Sequence, residues 1–481
     1  RRRLEEEKRR KREEEEARRR TEELERRRQG KVPIQRIDVQ ELLSSVPEGK
    51  QYSDPDFTPE KALTKQGGAK WKRLTEIMPK PQLIDDGMVP GDVEQGELGD
   101  CWFLSAMACC AATPKLLQAM FVHHDEEKGV YVVRFHKNGV LRDVAVDDMV
   151  PVTYGGGSCK FAKSRTSRNE VWVTVLEKAY AKIHGSYDAI EGGWVSEGLS
   201  DLTGGIGEIM MLSSDGAKKA INDGSLWARM QQLSDDGHML GCGSHAGCDT
   251  DTSDAGIVQG HAYSILRLEE VDGNRLMQVR NPWGSVEWKG RWSDKDTASW
   301  TQRMRAKLDY KDENDGTFWM AFEDWVNHYS KLYICRVMGD VWQRQYVAGS
   351  WRGETAGGCT NYASFSKNPV FRLALKKRIR LLLVLEQRDT RGTDSETHCI
   401  GLEMYRESGG KRNHREFASA GSYAYRRNVC LEAEIEPGQE GPHYVIGSTF
   451  HPGKETDFSL MAYWRGEPSD LSLYPETGKT C

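Results

Sequence analysis

Near residue 341 the chain changes texture, and no other feature limits its architecture as strongly. Downstream, RIRLLLVLEQ, CIGLEMYR, NVCLEAEIEP, HYVIGSTF and DFSLMAYW are short β-rich runs, several alternating, set apart by Gly, Pro, Asn and Asp. That pattern predicts an antiparallel β-sandwich over residues 339–481. Upstream, helix and strand patterns mix. NEVWVTVLEKAYAKIHG repeats apolar residues at Trp172, Val175, Leu176, Ala179, Tyr180 and Ile183, the spacing of an amphipathic helix that Gly185 stops. YVVRF and VLRDVAVDDMVPV alternate as strands around a Lys137-Asn138-Gly139 hairpin turn. The stretch EGGWVSEGLSDLTGGIG, residues 191–207, is too glycine-rich to be regular throughout and marks a boundary near residue 205. Beyond it, LWARMQQLSDDG reads as a helix and SHAGCDTDTSDAG as a polar loop. GIVQGHAYSILRLEEVDGNRLMQVRNPWG then reads as two strands turning at Asp272-Gly273-Asn274, followed by a helix near Thr301 to Leu308.

The ends and the overall balance set further limits. Residues 1–30 are nearly all Arg, Lys and Glu, with Glu5–Arg9, Glu6–Arg10, Glu14–Arg18, Glu15–Arg19 and Glu22–Arg26 at the spacing that supports a solvated single helix. Leu4, Ala17 and Leu24 are too few for a coiled-coil seam. Residues 31–80 read as an approach segment ending at Pro79 and Pro81. A length of 481 residues suggests about three domains. The net charge of −5 leaves no basic footprint, so nucleic acid is not an expected partner. Eleven cysteines, with Cys109 and Cys110 adjacent, suit reduced thiols and a cytoplasmic location better than a disulfide framework. No run of eighteen apolar residues predicts a membrane segment in this chain. The first residue is Arg rather than Met, so membrane association through regions outside this chain stays open.

QGELGDCWFL holds the first candidate for chemistry. Cys101 follows a Gly-Asp pair and precedes the helix-compatible run WFLSAMACCAA. A helix N-terminus favours negative charge, so this placement predicts an activated thiolate. A thiol nucleophile also needs an imidazole, a group that orients it, and donors for the oxyanion. His261 lies in one β-run and Asn281 ends the neighbouring one, close enough to bond across paired strands. Gln95 offers an amide to the oxyanion beside the Cys101 N–H. Taken singly, each has a plainer reading: a packed thiol, a satisfied sheet histidine, a turn asparagine before Pro282, a surface glutamine.

Together, QGELGDCWFL, GHAYSI and RNPWG resemble the three catalytic blocks of calpains, calcium-dependent cytosolic cysteine proteases with a papain-like core. The likeness continues through LEKAYAKIHGSYDAIEGG, DLTGG, VEWKGRWSD, FWMAF and GSWRGETAGGC, covers residues 70–480, and is greatest to the plant-type calpains. It implies an α+β fold: a papain-like core of two subdomains, residues 81–205 and 206–338, followed by the calpain β-sandwich. It also implies Cys101 as nucleophile, His261 as general base and acid, Asn281 as orienting residue and Gln95 as oxyanion donor. Gly193 and Gly260 match glycines whose backbone pairs with the substrate strand, and Trp283 matches the tryptophan that wedges between the subdomains until calcium draws them together. Calcium is the implied cofactor. Gly87, Asp92 and Glu170 match one site, and Glu287, Asp294, Glu313 and Asp315 match another, where Thr317 replaces a glutamate of many animal calpains. The expected activity is calcium-activated, limited cleavage of extended segments in protein substrates through a thioester. The competing readings are a calpain-like scaffold and a transglutaminase-like acyl transferase, the latter disfavoured by Asn281 where an Asp is needed.

Overall fold

The computed structural model describes residues 33–65, 69–408, 411–413, 423–436 and 443–476. The charged helix expected over residues 1–30 lies outside the described residues. Three helices organise the first half of the core: α1 (Cys101–Ala111), α2 (Trp172–His184) and α3 (Val195–Thr203). Every residue of α1 after Cys101 is buried. A helix with no polar face has to run through the centre of a core, and α1 does so, contacting both α3 and the strand that begins at Ala262. Ser264 Oγ donates to Ser105 O at 2.9 Å, and Cys109 Sγ to Leu240 O at 3.1 Å, so α1 is bonded directly to the second half.

Strands β1 (Val130–Lys137) and β2 (Val140–Asp147) form the expected hairpin. Asn138 and Gly139 both have positive φ, the geometry a two-residue turn with the strands' own twist demands. Residues 54–74 add Phe57, Ala62, Leu63 and Leu74 to the same apolar cluster as α1 and α2. Helix α2 stops at Gly185, which is left-handed. Its expected amphipathicity needs correction, because its charged face is buried as well. Lys178 donates to Asp147 O at 3.0 Å and pairs with the Asp147 carboxylate, and Glu177 accepts from the Ala162 N–H at 3.0 Å. Polar groups enter a core when partners replace the water they lose, and a periodicity argument does not see those partners.

In the second half a six-stranded sheet is built from β3 (Ile206–Met211), β4 (Met239–Ser244), β5 (Ala262–Val271), β6 (Asn274–Arg280), β7 (Thr317–Ala321) and β8 (Tyr329–Arg336), in the order β7-β6-β5-β4-β8-β3. Residues 192–205 are divided by α3 between Gly192-Gly193 and Gly204-Gly205, after which the chain passes into β3. Beyond it lies the sandwich. One sheet runs β9-β15-β11-β13, from Trp342–Trp351, Thr456–Arg465, Ile379–Gln387 and Asn428–Ile435. The other, six-stranded, contains the run β12-β14-β10-β16, from Cys399–Ser408, His443–Thr449, Val370–Leu375 and Leu471–Pro475, with the short strands Lys411–Asn413 and Ala424–Tyr425 paired to β12. Leu381, Leu383, Leu385, Leu402, Val445 and Leu460 fill the space between them. Among the described residues ten cysteines are free thiols, and no helix is long and apolar enough to cross a membrane.

Candidate active site

Cys101 is the first residue of α1 and the only one in it that is not fully buried. Asp100 is the N-cap, its carbonyl accepting the Phe103 and Leu104 N–H groups while its side chain bonds none of the helix N–H groups. The helix end is not the largest influence on the thiol. Burial pushes the Cys101 thiol up to about 12; the Ala262 amide pulls the other way, and the charge of Asp100 adds to the rise. Desolvation of a thiolate outweighs the partial charge of one helix end. Asp100 is itself pushed up to about 7 by burial, while Glu177, packed beside it, is raised further by burial and by Asp100.

His261 immediately precedes β5 and Asn281 immediately follows β6, and the pairing of Ser264 with Arg280 sets the two side by side. His261 Nε2 and Asn281 Oδ1 are 2.9 Å apart. Every polar atom of the Asn281 side chain is engaged. Oδ1 also accepts the Trp283 N–H at 3.1 Å, and Nδ2 donates to Ser285 O at 2.9 Å and Val286 O at 3.0 Å. This network fixes which end of the amide is oxygen, so Nε2 carries the imidazole proton and Nδ1 holds the lone pair. Nδ1 is buried and makes no hydrogen bond. Burial lowers the His261 pKa to about 4, against the contribution of Asn281. The Trp283 ring, half-buried, lies 4.9 Å from the imidazole centroid. Val286, whose carbonyl serves Asn281, has φ of 61°, a strained setting for a β-branched residue that its surroundings impose.

Gln95 is anchored at both ends. Its backbone N–H donates to Pro282 O at 2.9 Å, joining the two halves, and its Nε2 donates to Leu98 O at 2.7 Å. One amide hydrogen remains on Nε2. Gly193 and Gly260 each sit where a side chain would collide: the first against the Trp102 ring, the second against Gly247 O, and Gly260 also has positive φ.

Two acidic clusters occupy the positions expected for a cation. In the first, Asp92 and Glu170 are both buried. Asp92 Oδ2 accepts from the Val89 N–H at 2.8 Å and Oδ1 from Thr166 Oγ1; Glu170 accepts from the Asp85 N–H at 3.1 Å and Ser164 Oγ at 2.7 Å. The Glu170 pKa is raised, first by burial and further by the Asp92 charge. Gly87, five residues before Asp92, has φ of 96° and space where a side chain would stand. In the second cluster, Glu287 accepts from the Gly316 N–H at 2.8 Å and Asp315 from the Thr317 N–H at 2.7 Å. Asp294 Oδ2 is buried without a partner, and burial followed by Glu287 pushes the group up to about 7. Asp294, Glu313, Asp315 and Thr317 line one wall of a 390 Å³ cleft whose other wall is residues 89–91 with Arg165 and Thr166. Oxygen-only donor sets of this kind are the chemistry a hard cation such as calcium takes, though neither set brings three carboxylates within a few ångströms of one another among the described residues.

Sequence reasoning missed several supports. Ser244 Oγ accepts the His261 N–H at 3.0 Å, and the Ser244 N–H donates to His261 O at 3.0 Å. Arg280 is fully buried and donates to Val93 O at 2.7 Å and Gly91 O at 3.3 Å, tying the asparagine strand to the loop that carries Asp92. Only its place before Asn281 in RNPWG hinted at it.

A family model described as calpain family cysteine protease matches residues 52–336, and one described as calpain large subunit, domain III, matches residues 347–463. The calpain-type cysteine protease DEK1 of Arabidopsis thaliana is 38% identical over 88% of this chain and 21% of its own length. ADL1 of Oryza sativa, also a calpain-type cysteine protease, is 37% identical over 86% of this chain and 21% of its own. The calpain-1 catalytic subunit of Mus musculus is 35% identical over 83% of this chain and 61% of its own length. The chain therefore spans about a fifth of the plant relatives and under two thirds of the animal one.

Proposed function

The chain belongs to the calpain family of cysteine proteases, and on that premise we propose that it is a calcium-activated endopeptidase cutting extended segments of protein substrates. The observation that carries this reading is the fully bonded Asn281 amide, which holds His261 with Nε2 protonated and Nδ1 free. In the proposed reaction Nδ1 takes the Cys101 proton as Sγ attacks the scissile carbonyl. The tetrahedral oxyanion is held by the Cys101 N–H and the remaining Gln95 amide hydrogen. His261 then gives its proton to the leaving amine, and water, activated by the same imidazole, hydrolyses the thioester. Gly193 and Gly260 hydrogen-bond an extended substrate backbone, a mode in which a side chain would block approach.

Two neutral partners have to become an ion pair in this scheme. Burial opposes each charge separately, but a thiolate and an imidazolium stabilise one another when they face across the cleft. Asp92, Glu170 and Gly87 would hold one calcium ion, and Glu287, Asp294, Asp315 and the Glu313 carbonyl a second. A bound ion would supply positive charge that draws the acidic loops of each half into one arrangement. The test is peptidase activity on a casein-type substrate against calcium concentration, with Cys101→Ala as control. We expect cleavage by the wild type that depends on calcium and is absent in the variant. Equal turnover by both would sink the protease assignment, and full activity in excess chelator would sink calcium activation.

A further inference from the structure

We infer that Arg391, on the sandwich loop after β11, is a positioning residue for the substrate groove. This rests on the protease reading above, and on Gly193 as a substrate contact within it. Arg391 Nη1 donates to Gly192 O at 2.8 Å and to Ala189 O at 3.3 Å, and Nη2 to Glu197 Oε2 at 2.9 Å. Its guanidinium carbon lies 4.5 Å from the centroid of the Trp102 ring. Trp102 follows the nucleophile, donates through its indole N–H to Ile190 O at 2.9 Å, and is the ring that leaves Gly193 no room for a side chain. On its other side the wall is fixed by the Gly192 N–H, which donates to Gly99 O at 2.9 Å. The Gly192-Gly193 segment is thus clamped between the loop leading to Cys101 and one arginine from another domain. A planar guanidinium serves two carbonyls, a carboxylate and an aromatic face at once; an ammonium cannot.

The loop that delivers Arg391 is itself tightly docked. The Asp389 N–H donates to Asn138 Oδ1 at 2.9 Å, and the Arg391 N–H to Asp389 Oδ1 at 2.9 Å. Lys137 pairs with Asp389 and, at 2.9 Å, with Asp201, which Arg427 also meets at 2.5 Å. Gly392 has φ of 71° and lies so close to His184 O that any side chain would strike it. His184, Asp201 and Asp389 have the spacing of a metal site, but the Lys137 ammonium already bonds all three, so the cluster is a clasp between domains. The sandwich therefore completes one wall of the groove through Arg391.

The test uses the whole chain with calcium: wild type, Arg391→Ala, Arg391→Lys and Cys101→Ala. Steady-state cleavage of an extended peptide, the alkylation rate of Cys101 by iodoacetamide, and the thermal midpoint are measured together. We expect Arg391→Ala to raise KM about tenfold with kcat nearly retained, since a displaced wall weakens ground state and transition state alike. Iodoacetamide needs no groove, so its rate should stay at the wild-type value, and Arg391→Lys should fall between the two. An active wild type whose KM is unmoved by Arg391→Ala overturns the inference alone. So does a loss of peptide cleavage matched by an equal loss of alkylation and a lowered thermal midpoint, which marks general loosening. A wild type no more active than Cys101→Ala overturns the protease reading, and this inference with it.

Discussion

In the second half of the core the imidazole is clamped on every side but one, whereas in the first half the thiol stands at a helix end whose surroundings are assembled from distant pieces. His261 has its backbone held by Ser244, its Nε2 by Asn281, and its ring beside Trp283; all of these lie within β4, β6 or the turn that follows. Cys101 follows Asp100, a buried carboxyl packed beside Glu177, and Gln95 in the preceding loop is anchored to Pro282 of the other half. Its flanking wall leans on the sandwich. The difference teaches that His261 is organised by local strand pairing, while the surroundings of Cys101 depend on how the two halves of the core and the sandwich pack.

The largest effect should come from breaking the self-contained side. Asn281→Ala frees the imidazole and should lower kcat on the order of 10³-fold, within the range a positioned acid–base group contributes. A single-turnover assay checks this, and a loss under tenfold would mean that His261 is held well enough without Asn281. On the assembled side, Gln95→Ala should lower kcat by about 10²-fold with KM little changed, as removal of one oxyanion donor does. If KM rises instead, Gln95 serves ground-state binding.

A third, smaller effect compares the halves in acid. His261 is held near 4 in the second half, and burial takes His136 to about 4 and His184 to about 3 in the first. Unfolded, these imidazoles return to about 6.5. Between roughly pH 6.5 and 4 the unfolded chain therefore binds more protons, and stability falls as pH drops through that window, being fully present above it. The urea midpoint should be lower at pH 5 than at pH 7.5, and His184→Gln should narrow the gap. A midpoint independent of pH would show that other groups offset these histidines. The smallest effect on rate belongs to Asp92→Asn: a higher calcium requirement with the saturated rate nearly intact, read from a calcium titration of peptidase activity.

Much of the site was legible because its signals are local. Cys101 after Gly-Asp starts a helix, Gly185 stops one, and Asn138-Gly139 turns a hairpin, each by backbone preferences that a few neighbouring residues settle. The strands bearing His261 and Asn281 followed from alternation and a single turn. Illegible were Ser244, Arg280 and Arg391, since nothing near them in the chain says which carbonyls they will meet. The polar face of α2 misled for the same reason: Glu177 and Lys178 look solvated until Ala162, Asp147 and Met149 are brought to them.

By itself the sequence determined which elements form, and which residue types could do thiol chemistry in what order, because hydrogen bonding along a helix or across a tight turn is satisfied within a few residues. Only the tertiary structure decided how deeply those residues are buried and the company they keep. Burial pushes the Cys101 thiol up, and packing brings a sandwich arginine to the wall beside it. Desolvation and long-range contact depend on what lies around a group in space, and chain order does not carry that information.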